Sequence, residues 1–491
     1  MEEHGQSRPA YRSLWMWLVV VWVASAMDRT IAGPVLEYII SNDLPIIQGV
    51  ENPYAVSGLV GSLFFAGYML TQFPAGYLGG KFGYRTIIVI STIWGAVATI
   101  AMGLVTAIVG LVALRVLTGL GQGMFYSNDR SIIVEQTPAE KRSFGMGIVI
   151  TGLAIGITLA LISAPFVIEL GNLVFGPDQG WRMAFILLGA TTLVVGFALH
   201  IFFKRQRGYR EFTPAYPPAL RELGKYSAVF FLVIMAVYLL ARQLGWPEWV
   251  VAVIMVFVAL SLVVFIFRRL GGEVSPILYN RDLLLIYIAA IAILWNLWFF
   301  SFWSVSIVSQ AAPQATFLFA ALTAAFNAGA GILGFPIGGW IADYSKRRGW
   351  GRKVWLISFT VAQGILTVAF GLYIMNGGGA LTVMGTLLFF QALFFFSLQP
   401  ISQALASDFV PTPALLGAAF GMWNLIGEMG AVLSPAISGV LREVTGEWHA
   451  AVFLDAGIIL ASAVILLFVR ESRVFSPERQ QSEEAEVEAT S

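Results

Sequence analysis

The sequence predicts an all-α polytopic membrane protein with fourteen transmembrane helices, and three observations support this fold class. Of the 491 residues, 58% are hydrophobic and 12% are charged, whereas soluble domains carry about 25% charged residues. Fourteen apolar segments approach the length needed to cross a bilayer, which is about 20 residues. Short motifs also recur at matching positions in two parts of the chain, which indicates an internal repeat.

The apolar segments group as six, two and six along the chain. They lie near residues 14–40, 55–79, 86–107, 110–133, 144–170, 181–203, 226–245, 248–267, 283–310, 317–342, 354–375, 380–406, 415–441 and 450–469. We therefore expect a first six-helix half (1–203), a cytoplasmic linker with two extra transmembrane helices (204–281), a second six-helix half (282–470) and a disordered acidic tail (471–491).

The distribution of arginine and lysine predicts the orientation. With both termini in the cytoplasm, 23 of the 29 basic residues fall in cytoplasmic segments, as the positive-inside rule requires. The first apolar segment is long and lacks a small-residue cleavage site, so we expect a retained helix rather than a signal peptide. The prediction is a multi-pass protein of the cell membrane.

The composition argues against several classes of function. A net charge of +1 gives no electrostatic basis for binding nucleic acid. The chain has no cysteine and only three widely separated histidines, so we expect no disulfide, no thiolate chemistry, no metal site and no cofactor. No nucleotide-binding Gly-x-x-x-x-Gly-Lys-Ser/Thr motif occurs. We expect a monomer that is not an enzyme, whose partners are the lipid bilayer and a small molecule.

The internal repeat lies at the ends of the second and fourth helices of each half. The segment "FPAGYLGGKFGYR" (73–85) corresponds to "FPIGGWIADYSKRRGWGRK" (335–353), and "TPAEKRSFGM" (137–146) corresponds to "TPALLGAAFGM" (412–422). Two repeated six-helix halves are typical of transporters that rock about a central site. We therefore expect the binding site between the halves.

These loops, together with "LVALRVLTGLGQG" (111–123), resemble the major facilitator superfamily. Within it, "MDRT" (27–30), "GWRMAF" (180–185) and "NLIGEMGAVLSPAISGVLREVTG" (424–446) most resemble the anion:cation symporters. The resemblance implies secondary active transport of a small organic anion, a sugar acid or another carboxylate, by alternating access coupled to protons or to Na⁺. Two features depart from that family: Gln122 replaces a proton-binding glutamate, and the chain has fourteen helices instead of twelve.

Three alternatives remain open from the sequence. Fourteen helices and many aromatic residues would suit proton-driven efflux of a drug or lipid, but Arg29 and Arg115 suit an anion better. Exchange of an organophosphate usually needs a second arginine in the first helix of the second half, and 283–310 contains no charged residue. A third alternative, from another functional class, is a sensor that keeps the fold but has lost transport. Gln122 would suit such a protein, because a glutamine side chain cannot take up a proton.

The candidate substrate-binding residues start from Arg29. A charged side chain at the centre of a membrane helix costs roughly 2.5–3.5 kcal/mol and usually has a function. Trp22, Ser25 and Arg29 lie on one helix face, and the guanidinium would hold a substrate anion, unless Asp28 or another acid simply neutralises it. The other candidates are polar or aromatic residues on apolar helices: Tyr68, Gln72, Gln122, Tyr126, Asn296, Asn327, Gln399, Gln403 and Asn424.

Three residues are candidates for coupling. Asp28 and Glu428 are acids within apolar helices, and each is a candidate site for the transported proton. The resemblance assigns to Arg115 the coupling of protonation to substrate binding. The alternative is that Arg115 is a structural partner of Asp28.

A further group of charged residues lies near the cytoplasmic ends of the helices. Ion pairs there would latch the inner side shut in the outward-open state and break as the halves rock. These candidate gate residues are Lys81, Arg85, Asp129, Arg130, Asp343, Arg347 and Arg352.

Overall fold

The computed structural model describes residues 10–138, 141–206, 212–412 and 415–471, and the acidic tail beyond residue 471 lies outside this part. The described residues form fourteen α-helices: α1 (Ala10–Ser41), α2 (Pro53–Phe82), α3 (Tyr84–Met102), α4 (Ile108–Gln136), α5 (Arg142–Phe175), α6 (Trp181–Arg205), α7 (Tyr216–Leu244), α8 (Glu248–Leu278), α9 (Arg281–Ala311), α10 (Phe317–Arg348), α11 (Lys353–Met375), α12 (Leu381–Asp408), α13 (Leu416–Thr445) and α14 (His449–Leu467). Thirteen of them are long and apolar enough to span a membrane, and α8 contributes the apolar stretch Glu248–Leu262. The chain is therefore a multi-pass membrane protein.

Every apolar segment predicted from the sequence corresponds to one helix, but several helices extend beyond the apolar part. Helix α7 begins at Tyr216 instead of near residue 226, and a proline in its first turn favours that start. Helix α8 continues to Leu278 and α10 to Arg348. Hydropathy identifies only the part of a helix that lies in the hydrocarbon core, so it does not detect the polar helical turns at the membrane surface.

The two six-helix halves repeat the same packing. In the first half α1 packs against α5 and α6, α2 against α4, and α3 against α4 and α6. In the second half α9 packs against α13 and α14, α10 against α12, and α11 against α12 and α14. Each pairing in one half thus has its counterpart in the other, and the predicted fold class is confirmed.

Glycine permits the closest of these packings. A Cβ on Gly119 of α4 would lie 2.0 Å from the carbonyl oxygen of Phe64 on α2. In the corresponding pair of the second half, a Cβ on Gly338 of α10 would lie 2.4 Å from the carbonyl oxygen of Ser397 on α12. Small residues let membrane helices approach this closely, and van der Waals packing then stabilises the pair.

The halves meet tightly at the end of the bundle where α2 begins and α13 ends, which we call the outer end. A Cβ on Gly58 would lie 2.2 Å from the carbonyl oxygen of Pro435, and the backbone N–H of Ala436 donates to Ser62 Oγ at 3.0 Å. The backbone N–H of Tyr54 donates to Glu443 Oε2 at 2.9 Å. These contacts between α2 and α13 join the two halves at the outer end.

The two inserted helices cover one side of this contact. Helix α7 packs against α2, α3 and α4, all in the first half, whereas α8 packs against both α2 and α13. The insert is therefore carried mainly by the first half, and α8 lies over the line where the two halves meet.

Substitution of Gly119 by valine tests the close packing of α2 on α4. The added side chain would meet the backbone of Phe64, and overpacking of this kind costs about 1–3 kcal/mol. We expect Gly119→Val to lower the melting temperature of the detergent-purified protein. The matched control is Gly80→Val, because nothing lies within 4 Å of a Cβ at Gly80. Equal destabilisation by both variants would contradict the packing role.

Candidate functional site

The centre of the candidate site is the buried guanidinium of Arg29 on α1, a residue that is 3% exposed. Arg29 Nε donates to Gln122 Oε1 at 3.1 Å, and Nη2 donates to Ser25 Oγ at 3.1 Å. Its guanidinium carbon lies 4.3 Å from the ring centroid of Tyr68 and 5.8 Å from that of Trp298 on α9. None of the ion pairs among the described residues includes Arg29. The cation is thus enclosed by aromatic rings and neutral acceptors.

Gln122 on α4 connects Arg29 with Asp28. Its side-chain oxygen accepts from Arg29 and, at 2.8 Å, from Ser25 Oγ. Its Nε2 donates to Asp28 Oδ2, while Thr99 Oγ1 on α3 donates to Asp28 Oδ1 at 2.9 Å. A neutral amide therefore separates the carboxylate from the guanidinium, because its oxygen suits the cation and its N–H suits the anion.

Arg115 binds the backbone of α1 and not the side chain of Asp28. Its Nη1 donates to the carbonyl oxygen of Asp28 and its Nη2 to that of Arg29, both at 3.0 Å. Arg115 consequently ties α4 to α1 at the turn that carries Arg29.

Trp22 lies between two cations. Its indole Nε1 donates to Asp129 Oδ2 at 2.8 Å, and its ring centroid lies 5.4 Å from the Arg29 guanidinium carbon and 5.9 Å from that of Arg130. Arg130 also lies 5.4 Å from the ring centroid of Tyr126. Asp129 and Arg130 thus contact Trp22 and Tyr126 within the first half, and their expected role at the gate stays a prediction.

A chain of polar contacts crosses from the first half to the second. Tyr68 and Gln72 lie one turn apart on α2, and Asn424 Nδ2 on α13 donates to Gln72 Oε1 at 3.1 Å. The same Asn424 amide lies 3.5 Å from Glu428 Oε1. Gln72 Nε2 and Glu428 Oε2 are buried and have no partner among the described residues. In the region between the halves around Arg29, which we call the cleft, Gln72 thus presents an unpartnered donor and Glu428 an unpartnered acceptor.

The remaining candidate binding residues are more dispersed. Asn296 on α9 donates to Asp455 Oδ2 on α14 at 2.6 Å, so its amide is occupied within the second half. Asn327 on α10 and Gln399 on α12 are buried, and Gln403 is half-buried. Asn327 Nδ2 has no hydrogen-bond partner in the ranges that the structure describes. In the described part of the chain, no hydrogen bond or ring contact joins these three residues to Arg29.

At the end of the bundle opposite to the outer end, which we call the inner end, charged residues of the second half cluster around Arg352 and Asp408. Arg352 Nη1 donates to Asp408 and to the carbonyl oxygen of Ala404, and Lys346 Nζ lies 3.3 Å from Asp408 Oδ1. Asp343 is 75% exposed at its side chain and lies 3.9 Å from Arg352. These pairs join α10, α11 and α12 within one half. The expected latch between the halves applies to the opposite conformation and stays a prediction.

A buried carboxyl group lies beside this cluster, beyond the end of α14. The Glu471 carboxylate accepts a hydrogen bond from the backbone N–H of Arg352 and, at 3.0 Å, another from the backbone N–H of Lys353. Burial raises the pKa of the Glu471 carboxyl above its ordinary value. Together with Arg352 it fixes the start of α11 against the end of the second half.

The other candidate gate residues contact residues of their own half. Lys81 Nζ lies 5.3 Å from the ring centroid of Phe82, and Arg85 lies 2.8 Å from the side-chain amide of Gln136. Arg347 is exposed at the end of α10. No group of three His, Cys, Asp or Glu side chains that could bind a metal occurs in the described ranges.

Sequence reasoning missed several residues of this network. Trp298 was not among the candidate residues, but its ring centroid lies 5.8 Å from the Arg29 guanidinium carbon. No sequence pattern singled out Thr99 or Asp408, because each residue contacts a partner that is distant in the sequence. Asp455, a fully buried acid in an apolar helix, was visible as an intramembrane charge and could have been found by that signal alone.

Comparison with known proteins identifies the family. A model of the Major Facilitator Superfamily matches residues 18–320 and 299–490, so the chain belongs to this superfamily of transporters. The chain is 23% identical over 420 residues to the D-galactonate transporter of Escherichia coli O6:H1, across 84% of this chain and 87% of that protein. It is 35% identical over 136 residues to Probable anion transporter 6, chloroplastic, of Arabidopsis thaliana, which is 28% of this chain and 25% of that protein.

The fold is also similar to solved transporter structures. A crystal structure of a bacterial homolog of the human lysosomal transporter Spinster, inward-facing and occupied, superposes with a TM-score of 0.69 at 16% identity. The match covers 96% of this chain and 100% of that one. At this identity the similarity supports the fold alone.

Substitution of Gln122 by leucine tests the bridge between Asp28 and Arg29. The variant leaves a buried carboxylate and a buried guanidinium without the amide, and breaking a buried charged network costs roughly 3–5 kcal/mol. We expect a clear fall in the melting temperature in detergent. Gln403→Leu is the control, because Gln403 is half-buried and lies outside this network. An unchanged melting temperature for Gln122→Leu would refute the bridging role.

Proposed function

We propose that this major facilitator superfamily member is a secondary active transporter of a small organic anion, a sugar acid or another carboxylate. The observation that carries the proposal is Arg29, buried between the halves and absent from every ion pair in the described part of the chain. The names of its relatives, a D-galactonate transporter and a probable anion transporter, point to the same class of substrate.

The chemistry of a buried guanidinium explains why a carboxylate fits. A buried charge is expensive unless it is paired, and the acid next to Arg29 in sequence is occupied by Thr99 and Gln122. A substrate carboxylate would supply the missing negative charge and accept hydrogen bonds from the planar guanidinium. The aromatic rings of Tyr68 and Trp298 stabilise the cation between transport events.

The rest of the substrate would contact polar groups on both halves. Gln72 Nε2 and Asn327 Nδ2 are buried donors without partners in the described residues, and Glu428 Oε2 is a buried acceptor. Buried polar groups are nearly always hydrogen-bonded, and substrate hydroxyls would supply such bonds. A ligand that touches Arg29 of the first half and Glu428 of the second would connect both halves.

The packing of the two halves supports transport by alternating access. The contacts of Gly58 with Pro435 and of Tyr54 with Glu443 close the outer end, and rocking of one half against the other would open it. We take the outer end as extracellular, both termini as cytoplasmic and the membrane as the cell membrane, from the basic residues at the inner end. Residues 1–203 and 282–470 would be the moving units, joined by 204–281, and one chain would suffice.

Glu428 is the stronger candidate for the transported proton. Both carboxylate oxygens of Asp28 are hydrogen-bonded, whereas Glu428 Oε2 has no described partner. Glu428 is linked to the Arg29 cleft through Asn424 and Gln72. An anion on Arg29 would cancel its positive charge, which favours a proton on Glu428, so anion and proton would bind together.

The other candidate functions gain no support from a specific contact. Organophosphate exchange lacks a second arginine from α9 in the cleft, since the described charged residues of that helix are Arg281 and Asp282 at its start. A neutral lipophilic substrate would supply no negative charge to balance the buried Arg29, so efflux of such a compound does not explain why this residue lacks an acidic partner among the described residues.

Substitution of Arg29 by alanine tests the anion site directly. In liposomes with an imposed pH gradient, we expect saturable uptake of a labelled sugar acid by the wild type. The loss of one charged hydrogen-bonding group should reduce uptake by Arg29→Ala at least about tenfold, since such an interaction is worth roughly 1.5–3 kcal/mol. Arg221→Ala is the matched control, because Arg221 is an exposed arginine of α7 that lies outside the cleft. Undiminished uptake by Arg29→Ala would refute the site.

Substitution of Glu428 by glutamine tests the coupling. Without a titratable group, we expect this variant to lose accumulation driven by the pH gradient and to keep exchange of labelled for unlabelled substrate at zero gradient. Asp28→Asn is examined in parallel. Loss of pH-driven accumulation in Asp28→Asn alone would assign the proton to Asp28, and uptake driven by a Na⁺ gradient alone would refute proton coupling.

A further inference from the structure

An apolar groove of about 690 Å³ runs along the first half, and its lining does not include Arg29 or the residues that contact it. Its walls come from α3, α4, α6 and α7, the first inserted helix. Val97 and Phe197 in these walls are 54% and 55% exposed, so the groove opens toward the lipid. A ligand in this position has to enter from the membrane.

One end of the groove is polar. His200 Nδ1 on α6 lies 2.6 Å from the hydroxyl of Tyr216 at the start of α7, and both residues line the groove. One turn beyond His200 on the same face of α6 is Lys204, which is exposed, and Arg205 follows it at the end of the helix. The groove is therefore apolar along its length and polar at His200 and Tyr216, and the basic side chains of Lys204 and Arg205 lie beyond this end, where α6 ends.

The dimensions match one lipid chain. The lining residues of α3 run from Val89 to Ala101, which at 1.5 Å per residue is about 18 Å. One leaflet contributes about half of a hydrocarbon core of about 30 Å. An acyl chain of a lipid in the inner leaflet would extend along the groove, with its headgroup at the level of His200 and Lys204.

We propose that this groove is a binding site for one anionic glycerophospholipid of the inner leaflet. An acyl chain lies along α3, and the phosphate contacts His200, Tyr216 and Lys204. Basic side chains at the cytoplasmic ends of helices attract acidic headgroups electrostatically, which selects an anionic lipid over a zwitterionic one. The proposal also gives the insert a role, because α7 supplies one wall and the hydroxyl at the polar end.

Native mass spectrometry of the full-length protein tests the site. The protein is reconstituted into vesicles of phosphatidylcholine with or without phosphatidylglycerol, extracted in mild detergent, and its retained lipid is identified. We expect one phosphatidylglycerol per chain. Val97→Trp, which fills the groove, should lose this lipid. Val194→Trp should keep it, because Val194 is 68% exposed on α6 but does not line the groove.

The headgroup contact is tested separately with Lys204→Gln. We expect this variant to retain phosphatidylglycerol and phosphatidylcholine equally, because the charge that discriminates between them is gone. The proposal is overturned if Val97→Trp retains as much phosphatidylglycerol as Val194→Trp, or if the wild type itself retains phosphatidylcholine as readily. Melting temperatures of all three variants show whether each is folded.

Discussion

The buried charge of Arg29 is the constraint on which the rest of the site depends. Its guanidinium is held by Gln122, Ser25 and aromatic rings, and no carboxylate neutralises it within the described network. Arg115 fixes the α1 backbone that carries it, through two carbonyl oxygens. We propose that this positive charge, which is held by neutral partners, accepts the carboxylate of a substrate.

Gln122 shows how a departure from a family pattern can be understood in physical terms. The side-chain amide of Gln122 bonds to both charged groups: its oxygen accepts a hydrogen bond from Arg29, and its N–H donates to Asp28. A glutamate at this position would place a second carboxylate against that of Asp28. One of the two carboxyl groups would then need a proton, because two adjacent negative charges repel each other. With Gln122 this first-half cluster keeps its hydrogen bonds without titration, so a proton would be carried elsewhere, and Glu428 in the second half is free to carry it.

The fold was largely predictable from the sequence, but only part of the site was. Hydropathy located each helix and the repeat located the halves, since both depend on local or periodic patterns. The sequence also singled out Arg29, Gln122 and Glu428, because polar groups in apolar helices are conspicuous. It could not foresee that Arg115 binds a backbone or that Asn296 turns toward Asp455, because these contacts depend on helix rotation and on partners distant in the chain.

The central claim is that a substrate carboxylate binds Arg29 between the two halves. An experimental structure of the protein with a bound sugar acid such as galactonate tests it most directly. The account predicts a carboxylate within hydrogen-bond distance of the Arg29 guanidinium, between Tyr68 and Trp298, with hydroxyls toward Gln72 and Glu428. A ligand bound away from Arg29, or Arg29 paired with Glu428 while the ligand is present, would contradict it.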